Sequence, residues 1–236
     1  VRLRLMIDLN VGMDRTGIAP GDDAFELLWT MCRLPGIIPA GLHAYDGHLR
    51  DADDETLEQK VEAAFEPVWR LRDRCRQAGM TIDRLVASGT PTSHLLARHD
   101  DVEVSAGTTV LWDAGQLRVT PSLPYQVAAV VLTRVISRPA RDLICIDLGH
   151  KAIASEFKPP RVQLFGLDAA TFVSHSEEHM VLRTELADRN PPGTVLYGLP
   201  FHICPTMALH ASVWGVRNQI AAESWRVAAR DRCLTV

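Results

Sequence analysis

Over its first half the chain alternates short β-branched runs with longer stretches whose apolar residues recur every three or four positions. Val1 to Asn10 reads as a strand, ending in the glycine-bounded loop Val11-Gly12-Met13-Asp14-Arg15-Thr16-Gly17. Asp22 is placed to cap a helix running to about Arg33, with Phe25, Leu28, Trp29 and Cys32 at helical spacing. Ile37 to His43 is a second strand, ending in Ala44-Tyr45-Asp46-Gly47-His48. From about Asp53 to Gln77 the pattern predicts a long helix with Leu57, Val61, Ala64, Phe65, Val68 and Leu71 on one face, stopped by Gly79. Leu85 to Ala87 is a third strand; its loop, Ser88-Gly89-Thr90-Pro91-Thr92, opens a helix expected to reach His99. Val102 to Ser105 is a fourth, followed by Ala106-Gly107-Thr108-Thr109.

After Pro121 the period changes. Gln126–Ser137, Leu143–Leu148, Val162–Phe165, Thr171–Val173, Met180–Leu186 and Thr194–Gly198 read as short strands between Pro, Gly and Asp turns, and Gln219 to Val227 as a closing strand. Strands alternating with helices imply a parallel sheet, so the fold expected is α/β over residues 1–120 followed by a β domain over 121–236.

Composition narrows the function. A formal net charge of −4 gives no case for nucleic acid or an anionic membrane surface. No apolar run reaches transmembrane length and no signal peptide is visible, so a membrane role is not expected. Five scattered cysteines suit a reducing compartment, and a cytoplasmic location is expected. Lysine is scarce: only Lys60, Lys151 and Lys158 occur. The chain starts inside an apolar strand-like run and is expected to be cut from something longer.

Candidate chemistry lies at strand ends, where α/β proteins place it. Ser88-Gly-Thr-Pro-Thr92 offers hydroxyls and N–H groups at a helix start, an anion site by geometry and dipole, and Gly107-Thr108-Thr109 adds a second small hydroxylated loop. Both loops also read as ordinary caps. Near the C-terminus, Gly198-Leu-Pro-Phe-His202-Ile-Cys204-Pro-Thr206 places an imidazole and a thiol on alternate residues. In an extended segment these point to one face, a donor pair suited to Zn²⁺ with open positions for water or substrate. A buried cysteine beside a histidine bonded to a carbonyl is the other reading of that spacing.

Taken together, Gly12-Met13-Asp14-Arg15-Thr16-Gly17, the loops at 88–92 and 107–108, Asp147-Leu-Gly-His-Lys151, Ser176-Glu-Glu-His179 and His202-x-Cys204-Pro-Thr resemble the D-serine dehydratase and D-threonine aldolase family of alanine-racemase-like, fold-type III pyridoxal-phosphate (PLP) enzymes. The resemblance implies the latter half of a (β/α)8 barrel followed by a C-terminal β domain. It implies that Arg15 faces the cofactor's phenolic oxygen, that Tyr45 contacts the ring, and that Gly89, Thr90, Thr92, Gly107 and Thr108 form the phosphate cup. His202 and Cys204 would hold a divalent metal, Zn or Mn, that acts on the β-hydroxyl of a D-amino acid substrate. The aldolase form usually carries a carboxylate where Cys204 stands, which leans this position toward a dehydratase. A homodimer is implied for the intact enzyme. His43, His48 and His179 are further candidates for proton transfer.

One feature departs from the family. The Schiff-base lysine that such enzymes carry on an early barrel strand is absent: no lysine here lies in that context, and only four barrel strands are visible. The isolated chain is therefore expected to lack the N-terminal third of an enzyme, to be inactive, and to aggregate or need a partner. An inactive fragment or a non-catalytic PLP- or metal-binding protein is the alternative to a lyase; a racemase is disfavoured because it needs no H-x-C site.

Overall fold

The computed structural model describes residues 1–51 and 53–233. It divides into two compact units, the first comprising Val1–Thr109 with Arg118–Ser122 and the second Val110–Leu117 with Leu123–Val236.

The first unit is a four-stranded parallel sheet in the order β1 (Leu3–Leu9), β2 (Ile37–Ala44), β3 (Leu85–Ala87), β4 (Val102–Val104). Sequence order equals spatial order, the signature of successive βα crossovers. Helix α1 (Asp22–Arg33) begins with Asp22 and Asp23 in its first turn, favourable against the helix dipole, but Gly21 holds the cap position that Asp22 was expected to take. Helix α2 (Asp54–Gln77) is capped by Asp53, whose carboxylate accepts the Thr56 N–H at 2.8 Å. Its buried face, Leu57, Val61, Phe65, Val68, Leu71 and Cys75, packs on Ile7, Leu9, Leu42, Ala44 and Leu85 of the sheet in one apolar cluster. Burial of this face, rather than intrinsic propensity, supplies most of the helix's stability. Between β1 and β2 the register shifts at Leu5/Met6. There Gly41, at φ +135°, lies so close to the neighbouring strand that a Cβ would sit 2.0 Å from the Arg84 carbonyl oxygen; only glycine fits.

The third helix is much shorter than expected. The pattern suggested a run to His99, yet α3 covers only Ser93–Leu96, and β4 stops one residue early at Val104. Thr92 and Ser93 turn their hydroxyls back onto the carbonyls of Gly89 and Thr90, local bonds that favour turns over helix.

In the second unit six antiparallel strands run in the order β7 (Val162–Leu164), β10 (Val195–Pro200), β5 (Val131–Ala140), β6 (Leu143–Ile146), β9 (Met180–Arg183), β8 (Thr171–His175). Val131, Val135, Ile144, Ile146, Met180, Leu182 and Leu196 form its core, the inward half of a two-residue alternation. One short helix, α5 (Ile203–Leu209), interrupts what was expected to be all β, while α4 (Ala114–Val119) falls ahead of residue 121, where the β region was expected to begin. The expected closing strand is β12 (Ile220–Arg226), and it closes nothing. It pairs with β11 (Ser212–Arg217) in a separate two-stranded ribbon that leaves Trp214, Val216, Ile220 and Trp225 exposed. Among the described residues no helix is long and apolar enough to cross a membrane.

Candidate functional site

The sequence-derived site residues fall into two groups, one in each unit. Arg15, Tyr45, Gly89, Thr90, Thr92, Gly107 and Thr108 belong to the first; His202 and Cys204 belong to the second.

The loop after β1 is shaped by Asn10, whose side-chain oxygen accepts the N–H groups of Gly12 at 3.0 Å and Asp14 at 3.1 Å. This turn sends the Arg15 guanidinium over the Tyr45 ring, 4.6 Å from its centroid. One turn of sequence earlier, Asp8 on β1 meets His43, its register partner on β2, at 2.6 Å and accepts the Thr16 hydroxyl at 2.7 Å. Burial pushes the Asp8 carboxyl up, but those two hydrogen bonds and the charges of His43 and Arg15 outweigh it and hold the group below the usual aspartate range.

The two small loops after β3 and β4 do adjoin. The Thr108 N–H donates to the Thr90 hydroxyl at 3.2 Å, within reach of one shared anion. Their donors are less free than the motif suggested. The Gly89 N–H is already taken by the Asp46 carboxylate, and the Thr108 N–H by Thr90, leaving the N–H groups of Thr90 and Thr92 without a backbone partner among the described residues. A four-residue α3 also contributes little of the dipole expected at this loop. Ser88, fully buried at φ +87°, presents a hydroxyl with no hydrogen-bond partner. Asp46 is fully buried too, and its second oxygen is unpartnered. Burial raises its pKa against the bonds from Thr92 and Gly89, which favours the neutral acid. A neutral Asp46 is what an anion in these loops requires, since an ionised carboxylate would repel it. Orphaned hydroxyl, open Gly107 and two uncommitted N–H groups together fit a phosphate.

In the second unit the extended H-x-C segment expected from the pattern is not there. β10 ends at Pro200, His202 is the residue before α5, and Cys204 lies in its first turn. The two side chains meet all the same, His202 approaching on extended backbone (φ −142°, ψ 99°) and Cys204 standing in the first helical turn. The Cys204 thiol hydrogen-bonds the ring and raises the His202 pKa; burial opposes this, and the bond and charge of Glu156 add to it. Glu156 holds the ring through Nδ1, and Phe157 packs on it with centroids 5.2 Å apart. A carboxylate on one imidazole nitrogen orients the ring and raises its basicity as a ligand through the other. Cys204 is exposed. Among the described residues no three His, Cys, Asp or Glu side chains are disposed to enclose a metal ion, so the donor set is an open pair, not a closed structural site.

Sequence reasoning missed Glu156, Asp46 and Asp113. None stands in a spacing that signals chemistry; only the fold brings each to its partner. Two of the three lysines are engaged elsewhere, Lys60 with Asp51 at 2.9 Å and Lys151 with Glu177 at 3.1 Å and Glu178 at 2.8 Å.

With this geometry in hand, comparison with known proteins is specific. Residues 1–112 match the model of the alanine racemase N-terminal domain, and residues 128–216 that of a putative serine dehydratase domain. A D-threonine aldolase from Arthrobacter sp. is 30% identical over 240 residues, covering 97% of this chain and 61% of its own length. D-threo-3-hydroxyaspartate dehydratase from Delftia sp. strain HT23 is 25% identical over 244 residues, covering 93% of this chain and 64% of its own length. The crystal structure of D-threonine aldolase from Filomicrobium marinum superposes with a TM-score of 0.87 at 26% identity, covering 98% of this chain and 63% of that one. The fold is that of alanine-racemase-like enzymes. Within that class the chain belongs to the D-serine dehydratase and D-threonine aldolase family. It spans a little over three-fifths of the length of these two curated relatives, 61% and 64%.

Proposed function

We propose that this chain carries the phosphate-binding loops and the metal-donor pair of a lyase acting on D-amino acids with a β-hydroxyl. The observation that carries the reading is the meeting of His202, Cys204 and Glu156 at the start of α5, in a chain whose relatives are named for cleaving or dehydrating such amino acids. When bound, pyridoxal phosphate supplies an electron sink at Cα, and a divalent cation, Zn or Mn, supplies a Lewis acid for the β-oxygen.

This chain's residues would then act as follows. Thr90, Thr92, Gly107 and Thr108 receive the phosphate through N–H and hydroxyl groups, and burial, by raising the Asp46 pKa, shifts that group toward its uncharged form beside them. Gly89 contributes shape rather than a donor, since its N–H is held by Asp46. Arg15, stacked on Tyr45, presents a fixed positive charge to the ring side. His202 and Cys204 donate nitrogen and sulfur to the cation, with Glu156 fixing the imidazole. Removal of the α-proton and loss of the β-hydroxyl as water, followed by hydrolysis that releases ammonia, would give a 2-oxo acid; deprotonation of the β-hydroxyl, breaking of Cα–Cβ and protonation of Cα would instead give glycine and an aldehyde. The thiol at 204 favours the first outcome through the family resemblance, and both use the same donor pair.

The test is metal content and phosphate binding measured separately. The purified chain, loaded with Zn²⁺ or Mn²⁺ and dialysed, should retain about one ion per chain, and Cys204→Ala should lose it. ³¹P resonances of added pyridoxal phosphate should broaden or shift with the wild type and less with Thr90→Val. Full metal retention by Cys204→Ala would remove the donor-pair assignment.

A further inference from the structure

The N–H of Ile203, first residue of α5, is satisfied from outside the helix. A cap position favours a side chain whose oxygen accepts from the first turn, but His202 occupies this one and makes no such bond. The acceptor is Asp113. Its Oδ2 takes the Ile203 N–H at 2.9 Å across 90 positions of sequence, and its Oδ1 takes the Gln116 N–H at 2.8 Å. One buried carboxylate, 1% exposed, thus serves the starts of both α4 and α5. A second contact from the same segment acts on the same backbone. At Gly115 a Cβ would lie 2.4 Å from the Phe201 carbonyl oxygen, closer than any real contact, so a side chain there must displace the residue that precedes His202. Trp112, fully buried at φ +57°, anchors the segment and stacks on Tyr125 with centroids 4.8 Å apart. Neither family model covers Asp113 or Gly115, the first ending at 112 and the second beginning at 128.

These contacts divide the labour at the helix start. A serine or aspartate at position 202 would cap α5 itself but would present no imidazole. With Asp113 supplying the acceptor from a distant segment, the residue at 202 is relieved of capping and its ring is left for Glu156 and Cys204. We propose that Asp113, seated by Gly115, is the positioning residue that sets the backbone of 201–203 so that His202 and Cys204 meet as a pair. That the pair binds metal rests on the function proposed above; that Asp113 positions it does not.

The experiment uses the metal-free 236-residue chain and three variants, Asp113→Ala, Asp113→Asn and Gly115→Ala. Amide hydrogen exchange at Ile203 and the nuclear Overhauser contact between the Cys204 β-protons and the His202 ring are read by NMR. In Asp113→Ala, Ile203 exchange should rise at least about tenfold while the amides of β6 are unchanged, and the contact should vanish. Asp113→Asn should fall between, because an amide offers one acceptor oxygen to two N–H groups. Gly115→Ala should lose the contact with the carboxylate intact, which keeps the test available should Asp113→Ala fail to fold. A persistent contact in both Asp113→Asn and Gly115→Ala, or unchanged Ile203 exchange, overturns the proposal. Co²⁺ alone is then titrated into wild type and variants. A thiolate-to-cobalt absorbance in wild type that weakens about 10–100-fold in apparent affinity in the same order is expected. No such band in wild type, with the NMR order intact, sinks the metal reading and leaves the positioning role standing.

Discussion

The two units build their candidate sites by opposite means. In the first, strands adjacent in sequence are adjacent in space, so the loops after β3 and β4 become neighbours by topology alone. Donors there are backbone N–H groups and small hydroxyls, and the Thr90–Thr108 contact joins consecutive loops. In the second, the donor pair depends on partners far along the chain: Glu156 lies 46 positions from His202 and Asp113 lies 90 from Ile203. A site made from parallel strand ends is secured by the sheet. One made at a lone helix start in an antiparallel unit must be secured by individual buried side chains.

If that contrast is right, the two units should answer differently to mutation. The largest effect is expected for Phe65→Ala, which empties a fully buried position in the apolar cluster of the first unit and should cost about 3–5 kcal/mol. Followed by urea unfolding, the loss should fall on the transition of the helical unit and leave that of the antiparallel unit in place. A single transition shifted as a whole would break the comparison.

Thr206→Val is next. Its hydroxyl donates to the His202 carbonyl at 2.7 Å and accepts the Ala154 N–H at 3.2 Å, so removal orphans a buried donor at a cost of about 1–3 kcal/mol. Because the bonds tie α5 to the segment bearing Glu156, the variant should also loosen the His202–Glu156 contact, seen as faster exchange at the Ala154 amide. Stability and exchange both matching the wild type would show that α5 is held by packing alone.

The smallest effect concerns Asp46 and depends on pH. Burial raises its folded pKa above the ordinary aspartate range, so the stability tied to its neutral form is fully present below that range. It is lost as pH rises through the folded value. Asp46→Asn keeps an acceptor for the Gly89 N–H and removes the charge. The variant should match wild type in acid and gain roughly 1 kcal/mol over it as pH climbs through that window. Parallel stability curves across the window would mean that Asp46 is not the group held neutral beside the loops.

The same contrast explains what was legible in the sequence. The alternation of short strands and amphipathic helices located β1 to β4, α1 and α2 closely, because each carries a periodic apolar face into one cluster. α3 fell short because Thr92 and Ser93 spend their hydroxyls on nearby carbonyls. α5 was hidden because Pro205 and a short apolar run look like the continuation of β10, and its first N–H is satisfied by Asp113 rather than by a recognisable cap. His202 and Cys204 could be singled out by spacing, although the geometry behind that spacing is a helix start and not a strand. Glu156 and Asp113 had no local signal. A carboxylate that works through long-range contact looks, in sequence, like any other surface acid.

Trp112 gives the segment beside α5 an optical identity. Of the chain's five tryptophans, Trp214 and Trp225 stand exposed on the ribbon, Trp29 is exposed on α1 and Trp69 is partly covered, whereas Trp112 is fully enclosed with its indole N–H unpartnered. An indole shielded from water emits at shorter wavelength than its wet neighbours and is the last reached by a soluble quencher. The blue, unquenchable fraction of the chain's fluorescence therefore comes from the residue next to Asp113. Without any label, a change in the seat of His202 and Cys204 becomes a change of colour.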